Sequence, residues 1–208
     1  MRDRITKSIR EGIDAVAAIG SDEGAVFIWG VSRAIIECYR SGGKLLLAGN
    51  GGSLCYATHF AEELTERFRK SRAPLQAIAL ADPGHITCVW NGLGFEEIFA
   101  RSVAALWKKG DLFILLTTSG NSQNLLKAAE GARGQRLTTV SFLWQPVGDI
   151  RGWCYHEWIV FSLHSDRIQE AHMVDIHIII EMVEDKFFFR LEYCGWYDAY
   201  GDLCDRCD

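Results

Sequence analysis

The chain has 208 residues, 49% of them hydrophobic and 24% charged, with a formal net charge of −5. That length buries one sizeable core, and the acidic balance excludes a nucleic-acid binder working through a broad basic face. No apolar run is long enough to span a bilayer and the opening MRDRITKSIREGID is no signal peptide, so the reading is a cytoplasmic protein with neither membrane nor nucleic acid as partner.

Ile5, Ile9, Ile13 and Val16 recur at helical spacing, which predicts a first helix over residues 3–18. Ser21, Asp22 and Glu23 offer cap chemistry for a second, carried by Val26, Ile28, Val31, Ile35 and Ile36 to residues 41–43. A buried strand over 44–48 then delivers Gly49, Asn50, Gly51, Gly52 and Ser53, and a helix follows to about residue 69. The run Arg67, Arg69, Lys70 and Arg72 reads as a solvated helix end whose cations complement the dipole. Residues 75–80 form a short apolar run, residues 82–84 a turn, and residues 85–91 a short helix broken by Gly92 and Gly94. Residues 95–107 are helical by pattern. A second buried strand, 112–116, runs into Thr117, Thr118, Ser119, Gly120, Asn121 and Ser122, with a helix over 124–132 behind it. Strands over 137–142 and 158–162 and a long helix from 166 to about 190 complete the pattern.

Strands alternating with helices imply an α/β fold: a doubly wound, mostly parallel sheet flanked by helices, with N-terminal helices and a long C-terminal helix. Residues 1–190 read as one domain, with helices in 1–42 serving oligomer packing. Residues 191–208 read as an aromatic, cysteine-rich extension in which Cys204 and Cys207 form a CxxC beside Cys194. A metal or a disulfide there is an open alternative to simple packing. The seven cysteines (those three with Cys38, Cys55, Cys88 and Cys154) read as mostly reduced, buried thiols.

Two stretches carry chemistry. A strand, a small-residue turn and a helix start expose several N–H groups in one direction, which suits an anionic oxygen cluster such as phosphate. Glycine permits close approach, and Ser53 offers a hydroxyl and a cap. The run 117–122 repeats the logic, with four hydroxyls among six residues. Both would meet at the carboxyl edge of one sheet. Down the first of these helices, His59 and Glu63 are i, i+4 neighbours and project together. On the last helix Gln169 and His177 stand eight residues apart, near one stripe, while His172 and Asp175 fall off it and read as structural or interface residues. Nitrogen and oxygen donors from two helices suit a zinc-type ion, and without a metal the same groups make an acid–base pair.

GNGGS, HFAEE, TTSGNS and DRIQEAHMVDIH together resemble the phosphoheptose isomerases of the sugar isomerase (SIS) domain superfamily, from the first helix to about Lys186. The resemblance implies a flavodoxin-like three-layer sandwich. It implies interconversion of sedoheptulose 7-phosphate and D-glycero-D-manno-heptose 7-phosphate, and a homotetramer with shared active sites. It also implies one Zn2+ per subunit on His59, Glu63, Gln169 and His177, with Glu63 as the base and His177 as the acid. Sugar-phosphate contacts would fall on Asn50, Gly51, Gly52, Ser53, Arg67, Asn91, Thr117, Thr118, Ser119, Ser122 and Gln169. Tyr56 and Gly92 stand where the family usually carries acidic residues, and Thr117 replaces the usual serine. The rival readings are an isomerase for another ketose phosphate, and a non-catalytic SIS module that senses a sugar phosphate or binds a protein.

Overall fold

Five short, apolar strands define the centre of the molecule, and their order explains where the chemistry lies. The computed structural model describes residues 1–144, 148–160 and 164–188. Strands β1 (Leu45–Gly49), β2 (Ala77–Ala79), β3 (Leu112–Leu116), β4 (Thr138–Trp144) and β5 (His156–Val160) pair in parallel in the order β2-β1-β3-β4-β5. β1 and β3 are buried at every residue, as central parallel strands covered on both faces must be. The chain winds outward from β1 to β2, then returns to place β3 on the other side of β1. That reversal opens a crevice beyond the carboxyl ends of β1 and β3.

One face of the sheet is covered by α1 (Arg2–Ala17), α2 (Asp22–Arg40), α3 (Gly52–Thr65) and the long α7 (Ser165–Phe188). The other is covered by α4 (Pro83–Leu93), α5 (Ile98–Leu106) and α6 (Gln123–Gly134). Phe27 of α2 docks edge-on against Phe142 at 5.2 Å and stacks on Trp158 at 5.7 Å, aromatic pairs worth about 0.5–1.5 kcal/mol each beyond their burial. At the sheet's amino edge the Asp111 carboxylate accepts the backbone N–H groups of Lys44 and Lys108 and pairs with the Lys44 ammonium, tying the starts of β1 and β3 together. No helix among the described residues is long and apolar enough to cross a membrane.

The structure moves several predicted boundaries. α3 stops at Thr65 rather than near residue 69, because the N–H groups of Phe68 and Arg69 are taken by the Glu184 carboxylate. α4 starts earlier, at Pro83, where the Asp82 carboxylate caps His85 and proline suits the first helical position. The predicted 95–107 helix opens as a 3-10 turn over Phe95–Glu97 before α5. β5 begins two residues before the predicted strand, and residues 161–162 of that expectation lie outside the described residues. So does the extension 191–208 with its three cysteines. Of the four described cysteines, Cys38 is buried and Cys154 half-buried, but Cys55 and Cys88 are exposed, against the expectation of buried thiols. Burial pushes the Cys38 thiol up to about 12, aided by the charge of Asp111, and Cys154 up to about 11.

Candidate active site

The loops after β1 and β3 sit side by side at the reversal. Gly51 adopts φ +54° and ψ −123°, a conformation open to glycine alone, and turns the chain into α3. A Cβ on Gly52 would lie 3.0 Å from the Gln169 side-chain nitrogen, so the absence of a side chain there lets α7 close over the mouth of α3. The two loops are tied by a reciprocal pair: each of Asn50 and Asn124 donates its amide N–H to the other's carbonyl at 2.9 Å. The Thr117 hydroxyl accepts the Gly120 N–H and the Ser119 hydroxyl the Asn121 N–H, which shapes the second loop.

Neither helix start is capped by a side chain. Gly51 and Ser122 occupy the cap positions of α3 and α6 without a capping bond, whereas Ser21 caps α2 and Asp82 caps α4. Ser53, expected to cap, lies buried inside the first turn. Two uncapped helix mouths facing one crevice leave orphan N–H donors and two positive dipole ends for an anion.

Further along α3, His59 meets α7. Its Nε2 lies 3.1 Å from His177 Nε2 and 3.5 Å from Glu63 Oε1, and its Nδ1 lies 3.2 Å from Glu62 Oε2. A proton on Nδ1, held by Glu62, leaves the Nε2 lone pair facing His177 and Glu63; carboxylates that accept the other ring N–H orient metal-binding imidazoles in this way. The three ligand atoms of His59, Glu63 and His177 all fall within 4.8 Å of one another. Tetrahedral zinc with nitrogen ligands spaces neighbouring donors about 3.3 Å apart, so the donor set fits such an ion in kind and in spacing.

Electrostatics pull the acid and base together. Burial raises the Glu63 carboxyl above the usual range, and the charges of Glu62, Glu66 and Glu184 add to it against the opposing pull of His59. Burial lowers His177, and the charges of His59 and Arg69 lower it further, which favours its neutral imidazole. The Phe68 ring stacks on His177 at 5.6 Å and 26° between planes.

The SIS domain family matches residues 11–143. A phosphoheptose isomerase of Fusobacterium nucleatum is 49% identical over 158 residues, which span 76% of this chain and 81% of that one. The phosphoheptose isomerase of Vibrio cholerae is 40% identical over 185 residues, 88% of this chain and 97% of that one. This chain belongs to the phosphoheptose isomerase family. A solved phosphoheptose isomerase from Francisella tularensis shares the fold with a TM-score of 0.83 at 33% identity, covering 88% of this chain and 97% of that one.

Against the site expected of a phosphoheptose isomerase, the structure brings together His59, Glu63 and His177, and seats the Gln169 amide over Gly52. Asn50 spends its amide on Asn124. Arg67 lies exposed and pairs with its neighbour Glu66, and Asn91 is exposed on α4; no hydrogen bond or ion pair among the described residues links either to the histidines.

Of the basic run, Arg67 is solvated as expected, but the others are answered by α7: Arg69 pairs with Glu181, Lys70 with Asp185 at 2.7 Å, and Arg72, its side chain fully buried, with Glu184 at 2.7 Å. Sequence reasoning missed Asn124, Phe68 and Glu184. Asn124, one residue inside a hydroxyl-rich helix start, carried a weak signal; Phe68 and Glu184 carried none, since their partners lie over a hundred positions away.

Proposed function

We propose that this chain is a sugar-phosphate isomerase that interconverts sedoheptulose 7-phosphate and D-glycero-D-manno-heptose 7-phosphate. The observation that carries the reading is the convergence of Glu63, its carboxyl raised, with the His177 imidazole near the end of a helix whose opposite end is an uncapped mouth. Family membership supports the substrate class.

A ketose–aldose exchange moves one proton between C1 and C2 and another between O1 and O2, through an enediol. Glu63 takes the C1 proton and returns it to C2; a carboxyl raised toward the working pH is the better base. His177, neutral, donates its N–H to the carbonyl oxygen and takes the hydroxyl proton in turn. The phosphate sits at the mouths of α3 and α6, where Gly51, Gly52, Ser53, Thr117, Thr118, Ser119 and Ser122 present N–H and hydroxyl groups. Anchoring there turns remote binding into positioning of the reacting carbons. His59, Glu63 and His177 would hold Zn2+, with Gln169 as the fourth ligand. Bound zinc supplies Lewis-acid polarisation of the sugar oxygens.

The apolar stripe of Ile5, Ile9 and Ile13 on α1, with Val26 and Trp29 on α2, is exposed in a single chain. That supports assembly into a homotetramer through the N-terminal helices, with shared active sites. Cysteine usage supports a cytoplasmic setting.

The test is exchange of the C1/C2 proton with deuterated water, followed by NMR on a panel of five- to seven-carbon ketose phosphates. The parent is expected to exchange with sedoheptulose 7-phosphate and Glu63→Gln not at all. A parent inert toward the whole panel would hand the case to a sugar-phosphate-sensing module. Elemental analysis with and without His59→Ala checks the zinc.

A further inference from the structure

Seven residues beyond His177, on the same face of α7, Glu184 is buried with its side chain 2% exposed, and the Arg72 side chain it meets is 0% exposed. Four of the five guanidinium N–H donors and both carboxylate oxygens are engaged. Glu184 accepts the N–H groups of Phe68 and Arg69, both at 3.0 Å, and Arg72 Nε at 2.7 Å. Arg72 Nη2 donates to the Glu63 carbonyl at 2.7 Å, and Nη1 to the carbonyls of Leu64 at 2.8 Å and Ala73 at 3.1 Å. Burial alone would raise Glu184, but those two N–H groups and the guanidinium outweigh it and hold the carboxyl below its ordinary range.

The two ends of this network land on the two proton-transfer residues. The carboxylate fixes the stretch of backbone whose Phe68 ring stacks on His177. The guanidinium holds the last turn of α3 by the carbonyl of Glu63 itself. A buried ion pair is a poor way to gain stability, because desolvation offsets most of the attraction, and apolar residues of similar volume often serve as well. What such a pair supplies is direction. The flanking pairs Arg69–Glu181 and Lys70–Asp185 are partly exposed and screened, so the buried pair carries the constraint.

We propose that Arg72 and Glu184 are positioning residues for the isomerase site, holding Glu63 and His177 in register across the α3–α7 contact and so setting turnover rather than substrate affinity. This rests on the reading of Glu63 and His177 as the proton-transfer pair. Neither Arg72 nor Glu184 touches the phosphate loops at the other end of α3.

The experiment compares the parent, Glu184→Gln, Arg72→Lys and the double variant Arg72→Leu/Glu184→Leu, each as purified and well below its Tm. Glu184→Gln and Arg72→Lys are expected to lower kcat by about 10- to 100-fold with KM within about twofold of the parent. The double variant leaves no unpaired charge but strips the partners from the Phe68 and Arg69 N–H groups and the Glu63, Leu64 and Ala73 carbonyls, so its Tm stays below the parent's and its kcat stays low. The carbon-bound ring protons of His177, shifted by the stacked Phe68 ring, move toward their unstacked positions in every variant. A parent-like kcat in the double variant, or His177 resonances unmoved in all three, would overturn the proposal and leave the pair a stability element only. The NMR readout works whether or not the parent turns over a sugar phosphate, so a failed isomerase reading and a failed positioning role give different results.

Discussion

Helices α4, α5 and α6 bury only neutral polar side chains among the described residues, Ser102 and Asn124, whereas α7 on the opposite face buries His172, Asp175 and Glu184. Both faces are packed with aliphatic and aromatic residues, and both clusters reach full burial at the sheet. The difference is direction. Apolar contact stabilises in proportion to area and tolerates small slides, while buried ions and imidazoles accept few geometries. The candidate site stands on the face built from the second kind of contact.

Stability without direction on the α4–α6 face has a sharp consequence. Phe99, 2% exposed on α5, is expected to lose about 3–5 kcal/mol on truncation to alanine, read by urea unfolding, with kcat per folded molecule within about twofold of the parent. A kcat that collapses with Phe99→Ala would erase the contrast between the faces.

On the α7 face the next largest effect is in pH dependence. Burial pushes the Asp175 carboxyl up to about 7, the Trp158 indole pulling the other way without either carboxylate oxygen gaining a hydrogen bond among the described residues. A folded value above the unfolded one means that its contribution is full below pH 4 or so and lost as the pH rises through about 7. His172 runs in the opposite sense: burial lowers it to about 4, so stability is lost as the pH falls from the ordinary histidine range toward that value. The two contributions offset each other in the parent. Asp175→Asn is expected to raise Tm by several degrees at pH 8, to leave it unchanged near pH 4 apart from packing, and to unmask a steady decline below pH 6.5. Parallel Tm curves for parent and variant would show that Asp175 does not titrate in this range.

The smallest effect sharpens the comparison at the crevice, where the faces meet. Asn124→Ala cuts both amide bonds to Asn50 and leaves a half-buried amide unpaired, at a cost of about 1–2 kcal/mol. With the loops after β1 and β3 no longer tied, KM for the sugar phosphate is expected to rise about tenfold while kcat changes little. An unchanged KM would mean that the loops hold their shape without the pair.

Much of this was legible before any coordinates. Apolar runs within 44–48 and 112–116 announce central parallel strands, the small-residue turns behind them announce helix mouths, and the i, i+4 spacing announces His59 with Glu63. The errors share a cause. Arg69, Lys70 and Arg72 look like a solvated run because a charge string reads alike whether water or α7 answers it. Cys55 and Cys88 look buried because cysteine usually is, yet each falls on the outward side of its helix. α3 looks longer than it is because nothing local says that a carboxylate from another helix will take its next N–H groups.

By itself the sequence determined the alternation of strands and helices, the two anion-ready turns and the facing of residues four apart, because each depends on backbone periodicity within a single element. Only the tertiary structure decided that His59 meets His177 at 3.1 Å across 118 positions, that Asn50 answers Asn124 across 74, and that Arg72 finds Glu184 across 112. Those contacts depend on how far apart packed helices settle and how they are rotated. That is set by the volume of every side chain between them, which no local pattern records.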